Sequence, residues 1–364
     1  MAPVESRCCI VVGVLMRELT IGRTVINDES DAYVIAEIGG NHRGSVEDAK
    51  AIIMQASVAG CSAVKFQKRD NKALYTPKAY AEPYNSENAW GPTYGEHREY
   101  LEFNMAEYRE LKTFAESYGL GFIVTAFDLP SVAFLAELGV DAIKIASGDL
   151  RSTPLIAEAD KVGVPLIIST GGGTLRDMER VTSVLGREDG LAFLQCTASY
   201  PCDAGALNLR VIETYRERFP ETVIGLSDHY DGIAMVPVAY SLGARIFEKH
   251  FTVDHTWKGS DQAFSLEPHG MATMVRDLKR TRLALGDGIK RRMECEGSAL
   301  DKMQKVYYPA EPLKAGTVLT PALLVMRSPG APNGYPPCDI DKLIGRKLAA
   351  DLTEDDAITP GVVS

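Results

Sequence analysis

The sequence predicts an α/β protein: a (β/α)8 barrel followed by a small β-rich domain. Three observations carry that prediction. Across residues 31–290, apolar β-prone runs alternate with amphipathic helical stretches, at 33–38, 63–67, 121–127, 142–146, 165–169, 191–196, 223–226 and 245–250. Continuous apolar strands separated by helices belong to a parallel sheet covered on its outside, and eight such units close into a barrel. The runs end in polar or glycine residues, as strands do when they deliver side chains to a barrel mouth. From residue 305 onward the helical period fades, and Pro309, Pro312, Gly316, Pro321, Pro329-Gly330 and Pro336-Pro337 punctuate short β-prone pieces.

In chain order, residues 1–30 read as an extension and a capping strand. CCIVVGVLM (8–16) resembles a signal-peptide core, but no small-residue cleavage site follows and Arg17-Glu18 come at once. The first fifteen residues therefore read as a dispensable extension, with Met16 a candidate start. MRELTIGRTVI (16–26) alternates as one strand, and a turn near Asn27-Asp28 leads into the barrel. Helical spacing follows at 46–59, 106–117, 131–137, 154–161, 175–185, 207–218 and 232–242, the last stopped by Gly243. An insertion at 70–103, rich in Tyr, Asn and Pro, comes after the second strand, on the face where barrels carry their sites. Residues 291–304 are polar and read as a linker; residues 305–364 form the small domain, which can bury only a modest core.

Composition narrows the function. A net charge of −10 with no Lys/Arg run argues against nucleic-acid binding. No stretch approaches a membrane span. The seven cysteines are scattered without a CxxC pair, which suits free thiols in a reducing cytoplasm.

The strand ends supply the chemistry. IGLSDH (224–229) and RIFEKH (245–250) each finish on a histidine, and parallel strands bring His229 and His250 out at one end. One such histidine alone reads as a hydrogen-bonded rim residue; a pair makes half of a divalent-metal site. Lys65 and Lys144 lie inside β-runs, where an unpaired ammonium is costly. Three readings follow: a structural ion-pair network, a Schiff base on one lysine, or a cradle for phosphate and carboxylate completed by Ser147, Ser169 and Ser227. Gly171-Gly172-Gly173 is not a P-loop or a dinucleotide fingerprint. Arg327, just before Pro329-Gly330, reads by itself as a solvated surface residue.

Several segments together carry a resemblance. They are AEIGGNHRG (36–44), KFQK (65–68), PYNSENAWGPTYGEHREYLEF (83–103), KIASGD (144–149), LQCTASYP (194–201), GLSDH (225–229), EKHFT (248–252) and TWKGSDQAFSLEP (256–268). GAPNGYPPCDI (330–340) and LIGRKL (343–348) extend it into the tail. In these the chain resembles the sialic acid synthase family, enzymes that condense phosphoenolpyruvate with an N-acylmannosamine-type sugar. The fold so implied is a TIM barrel with a carboxyl-terminal antifreeze-like (SAF) domain.

The resemblance implies a divalent metal on His229 and His250, manganese by preference, with magnesium or cobalt as alternatives. It implies that Lys65, Gln67, Thr125, Lys144, Ser147, Ser169 and Ser227 surround phosphoenolpyruvate, and that Glu37, Tyr200 and Asp261 face the open-chain sugar. Asp149 would handle proton transfer or the attacking water. Arg327 would bind the N-acyl group in a partner's barrel, making a domain-swapped homodimer. The WGPTYGEH, TWKGSD and GYPP elements resemble the animal-type branch, whose sugar is the 6-phosphate. Two positions depart from the family: Ala198, where many members have Asn, and Gln262, where a GxDH pattern has His. The implied product is an N-acylneuraminate or its 9-phosphate. The alternatives are a legionaminic- or pseudaminic-type synthase, a Schiff-base aldolase using Lys144, or an inactive sugar-binding homologue.

Overall fold

A computed structural model describes residues 17–364. The expected extension, Cys8, Cys9 and the candidate start at Met16 lie outside the described residues. The chain divides into two compact units, 1–286 and 287–364.

In the first unit eight parallel strands close into a barrel. They are β3 (Tyr33–Glu37), β4 (Ala63–Lys68), β5 (Gly121–Ala126), β6 (Ala142–Ile145), β7 (Leu166–Ser169), β8 (Leu191–Cys196), β9 (Val223–Asp228) and β10 (Ile246–His250). Their closure pairs β10 with both β9 and β3. Around them run α1 (Val46–Val58), α5 (Met105–Ser117), α6 (Leu129–Leu138), α7 (Thr153–Asp160), α8 (Leu175–Leu185), α9 (Val211–Arg218), α10 (Met235–Ser241) and α11 (Pro268–Leu285). Side chains of period two on each strand therefore have two destinations. Val34, Ala36, Val64, Phe66, Phe122 and Val124 pack outward against the helices. Tyr33, Ile35, Ala63, Ile123, Ala142, Ile167, Ala192, Leu194, Val223 and Ile246 fill the interior. Burying a large apolar side chain contributes about 1.5–3 kcal/mol, so both layers are strongly specified.

The stretch expected to be one capping strand is a hairpin, β1 (Glu18–Ile21) and β2 (Thr24–Asn27), turned at Gly22-Arg23. Alternation alone does not distinguish one strand from two that reverse at a glycine. Leu19, Ile21 and Ile26 join the barrel-interior cluster and plug its amino end. Asp28 ties the hairpin to the barrel by accepting from Arg216 Nη1 at 2.6 Å and Arg17 Nη1 at 3.0 Å.

One glycine is dictated by this closure. A Cβ on Gly225 of β9 would sit 2.3 Å from the Ile246 carbonyl oxygen and 2.5 Å from Leu194 Cδ2. The neighbouring strand and the interior layer leave room for no side chain there.

The insertion at 70–103 is not a plain loop. It contains α2 (Asn71–Leu74), α3 (Pro77–Tyr80) and α4 (Tyr94–Tyr100). Each is started by a side-chain cap, with a full capping box from Thr93 and Glu96 on α4. Asp128, another polar strand end, is occupied structurally: it caps α6 through Ser131 N–H at 2.8 Å and accepts Asp70 N–H at 2.8 Å.

The second unit carries an antiparallel pair, β11 (Val306–Pro309) and β12 (Leu324–Arg327). Tyr307, Leu313, Leu319, Leu343, Leu348, Leu352 and Ile358 form its core. The polar stretch read as a linker contains a short helix, α12 (Gly297–Met303). Seven residues of helix show too little periodicity to separate from polar coil in sequence.

Candidate active site

The inward positions of the barrel change character along each strand. Interior residues read Tyr33, Ile35, Glu37 on β3; Ala63, Lys65, Gln67 on β4; Ile123, Thr125 on β5; Ala142, Lys144 on β6. On β7 they read Ile167, Ser169; on β10, Ile246, Glu248, His250. The apolar layers form the plug, and the polar layer above them forms the floor of a cavity of about 500 Å³ at the carboxyl ends. Register places these polar side chains next to one another: Glu37 stands between His250 and Lys65, Thr125 between Gln67 and Lys144, and Ser227 opposite Glu248.

The cavity gathers Glu37, Lys65, Gln67, Thr125, Lys144, Ser147, Asp149, Ser169, Tyr200, Ser227, His229, His250 and Asp261. Arg327 is the one expected site residue outside it. It lies exposed on the second unit, donating from Nη1 to the Glu354 carbonyl at 3.2 Å. The cavity also contains residues whose roles sequence reasoning missed, chiefly Glu248, with Arg69, Phe127 and Cys196.

Glu248 organises the floor. Its Oε2 is 3.5 Å from Lys144 Nζ, its Oε1 is 3.7 Å from Lys65 Nζ, and Ser227 Oγ donates to Oε1 at 3.2 Å. Burial pushes its carboxyl up, but Lys144 and then Lys65 outweigh burial and hold it below the ordinary range. Lys65 Nζ also contacts Glu37 Oε2 at 2.6 Å and donates to Thr125 Oγ1 at 2.9 Å. Lys144 Nζ donates to Ser169 Oγ at 2.6 Å. Burial lowers the Lys144 ammonium's pKa, with Glu248 opposing; for Lys65 the two carboxylates prevail over burial and raise it. Glu37 is pushed up by burial, which outweighs Lys65. The lysines thus form an ion-pair network, one of the three readings open from sequence. Both ammonium groups also line the cavity, so an entering anion meets two cations already fixed in place.

Above this floor the imidazoles of His229 and His250 stand 5.5 Å apart, centroid to centroid. Burial, then the His250 charge, lowers His229 to about 4, and burial lowers His250, so both rings are neutral at pH 7. His229 Nδ1 pairs with the Thr197 carbonyl at 2.9 Å, a contact that fixes this ring and keeps Nε2 as an acceptor. Among the described residues His250 Nδ1 is buried without a hydrogen-bond partner. Tyr200 covers His229 at 4.1 Å, and Phe264 packs on His250 at 5.0 Å. Two neutral imidazoles, one oriented from behind and one with an orphaned nitrogen, fit a divalent cation whose other ligands are substrate and water. Among the described residues no group of three or more His, Cys, Asp and Glu side chains is arranged to hold a metal.

Ser147 Oγ accepts Gly171 N–H at 3.1 Å. Asp149 is raised by burial, with the hydroxyl donation from Ser152 at 3.0 Å opposing. Of the two departures from the family pattern, Ala198 lines the cavity and Gln262 does not. Gln262 is buried, donating to the Asn41 carbonyl at 3.1 Å and accepting from Thr252 Oγ1.

The sequence pattern of the NeuB family matches residues 52–290, and that of the SAF domain matches residues 304–363. N-acetylneuraminate-9-phosphate synthase of Homo sapiens is 40% identical over 347 residues, covering 95% of this chain and 96% of that protein. N,N'-diacetyllegionaminic acid synthase of Campylobacter jejuni is 30% identical, covering 89% of this chain and 98% of that one. Among solved structures, the N-acetylneuraminic acid (sialic acid) synthetase of Leptospira borgpetersenii superposes with a TM-score of 0.68 at 30% identity, covering 79% of this chain and 96% of that one.

Proposed function

The chain belongs to the NeuB family, and from that premise we propose that it condenses phosphoenolpyruvate with an open-chain N-acylmannosamine, the 6-phosphate by preference. The product is then the N-acylneuraminate 9-phosphate, with inorganic phosphate released. The observation that carries this reading is the convergence of two buried lysines, two neutral imidazoles and two carboxyls of opposite tendency in one cavity.

Lys65 and Lys144 compensate the phosphate and carboxylate of phosphoenolpyruvate, with Ser147, Ser169, Thr125 and Ser227 as hydroxyl partners. His229 and His250 would hold the divalent metal, manganese by the family resemblance, which supplies Lewis-acid polarisation of the sugar aldehyde. Glu37, Tyr200 and Asp261 orient the sugar so that C3 of phosphoenolpyruvate meets its C1. As that bond forms, C2 becomes cationic; water adds there, and C–O cleavage expels phosphate. Asp149, with its pKa raised by burial, suits proton transfer from that water. Arg327 is proposed to bind the N-acyl group in the barrel of a second subunit, in a swapped homodimer. A reducing cytoplasm is the compartment this reading implies.

The test is phosphate release from phosphoenolpyruvate with N-acetylmannosamine 6-phosphate. Sugar-dependent release supports the proposal. Absence of release, together with borohydride trapping of pyruvate on Lys144, would replace it with the Schiff-base aldolase.

A further inference from the structure

A second, smaller recess of about 30 Å³ adjoins the main cavity, and Gln67, Arg69 and Asp261 line both. We propose that Arg69 and Arg98 form an anion subsite there, which receives the terminal phosphate of a 6-phosphorylated sugar and sets selectivity over the free sugar. This inference rests on the synthase reading above.

The two guanidiniums are built into the recess. Arg69 lies 3.8 Å over the Phe127 ring and donates from Nη2 to Gln67 Oε1 at 2.6 Å. Arg98, on α4, donates from Nε and Nη2 to Tyr94 Oη at 3.1 and 2.9 Å. A guanidinium has five N–H donors, so both retain free ones. Neither pairs with a carboxylate among the described residues. Of the two carboxylates that line the recess, Glu102 is engaged by Lys68 Nζ at 2.7 Å and by the backbone N–H of Arg69 at 3.2 Å. Asp261 is the other. Two guanidiniums against Asp261 leave an excess of positive charge, to which Lys258, 4.5 Å over the Trp90 ring, adds. A phosphate dianion is the complementary ligand, and a planar fork suits its oxygens.

The recess lies in the right direction and has the right size. Asp261 Oδ2 is 3.7 Å from His250 Nδ1, so a sugar with its aldehyde at the imidazoles passes Asp261 on its way to Arg98. Gly39, at φ +52°, lies at the junction: a Cβ there would sit 3.2–3.4 Å from Glu37, Asp261 and Gln67. Its missing side chain keeps the passage open between the two spaces. A volume of about 30 Å³ accepts a compact terminal group and excludes a second ring.

The experiment measures kcat/KM for N-acetylmannosamine 6-phosphate and for N-acetylmannosamine in the wild type, Arg98→Ala and Arg98→Lys. Calorimetric binding of the phosphorylated sugar is measured alongside. In Arg98→Ala the ratio of the two kcat/KM values falls roughly 10- to 100-fold, with Arg98→Lys between it and wild type. An equal loss on both sugars, or a rise confined to the KM for phosphoenolpyruvate, overturns the subsite while leaving the synthase reading standing. If the wild type turns over neither sugar yet binds the 6-phosphate through Arg98, the synthase reading fails and the subsite stands. If it neither turns over nor binds it, both fail.

Discussion

Replacing Glu248 by Gln tests the charge balance of the cavity floor. The amide keeps the shape and removes the negative charge shared by Lys65 and Lys144. Lys65 retains Glu37 at 2.6 Å, so it stays compensated. Lys144 retains only neutral partners, Ser169 Oγ at 2.6 Å and the Ile145 carbonyl at 3.4 Å. Removing one partner of a buried pair costs about 3–5 kcal/mol. Burial already lowers the Lys144 pKa, and losing its largest opposing charge lowers it further, so proton loss relieves part of the cost. The expected loss is therefore near 3 kcal/mol, or about 6–12 °C in Tm for a domain of this size.

The pH dependence of E248Q carries a sign. A lysine with a depressed folded pKa binds fewer protons folded than unfolded, so stability rises with pH across the interval between the two values. The depression is larger in E248Q, so its Tm deficit should narrow between pH 7 and about pH 9.5. Thermal unfolding by circular dichroism at the two pH values measures both effects. A deficit below about 2 °C at pH 7, or one that does not change with pH, would refute Glu248 as the counter-charge of Lys144.

Three further outcomes are expected. His229→Ala and His250→Ala each abolish turnover while keeping Tm within a few degrees; chelation abolishes wild-type activity and manganese restores it, whereas full activity in excess chelator refutes the metal proposal. Asp28 is held below the ordinary carboxylate range because Arg216 and Arg17 outweigh its burial. Its stabilisation is thus present above the unfolded pKa and lost as pH falls through the folded one; D28N should cost about 1 kcal/mol at pH 7 and nothing near pH 2, and equal costs at both would count against the pairing. Mixing Arg327→Ala with Lys144→Ala subunits should restore part of the activity if arginine crosses between subunits; verified heterodimers that stay inactive exclude the swap.

Most of the barrel was legible because its strands carry two periodicities at once. Val223 and Ile224 on β9, or Ala142 and Ile143 on β6, are apolar on both faces, which only a helix-covered parallel sheet requires. What was hidden was local. The turn at Gly22 splits a run of β-prone residues that reads as one strand, and the buried parity passes from Leu19 and Ile21 before it to Ile26 after it. The helices α3 and α4 in the insertion are held by caps and by aromatic contacts such as Tyr84 on His97 at 4.7 Å, and so lack an amphipathic period of their own.

The site was legible for a related reason, and incompletely so. Every polar residue at a strand's carboxyl end is a candidate in a barrel, but only the inward parity reaches the cavity. Lys249 and Asp228 sit between inward residues on β10 and β9 and pair with each other at 2.8 Å, away from the mouth. Parity also marks Glu248, two residues before His250 and two after Ile246 on the same face, yet sequence cannot show that Lys65 and Lys144 both need its charge. That need arises from closure, which brings β10 beside β3 and sets a carboxylate within 3.7 Å of ammonium groups from two other strands. Arg98 was still further from view, because its strand-less insertion has no parity to read. Only the fold brings it into the recess that Arg69 shares with the main cavity, and the proposed phosphate subsite rests there on two guanidiniums that pair with no carboxylate among the described residues.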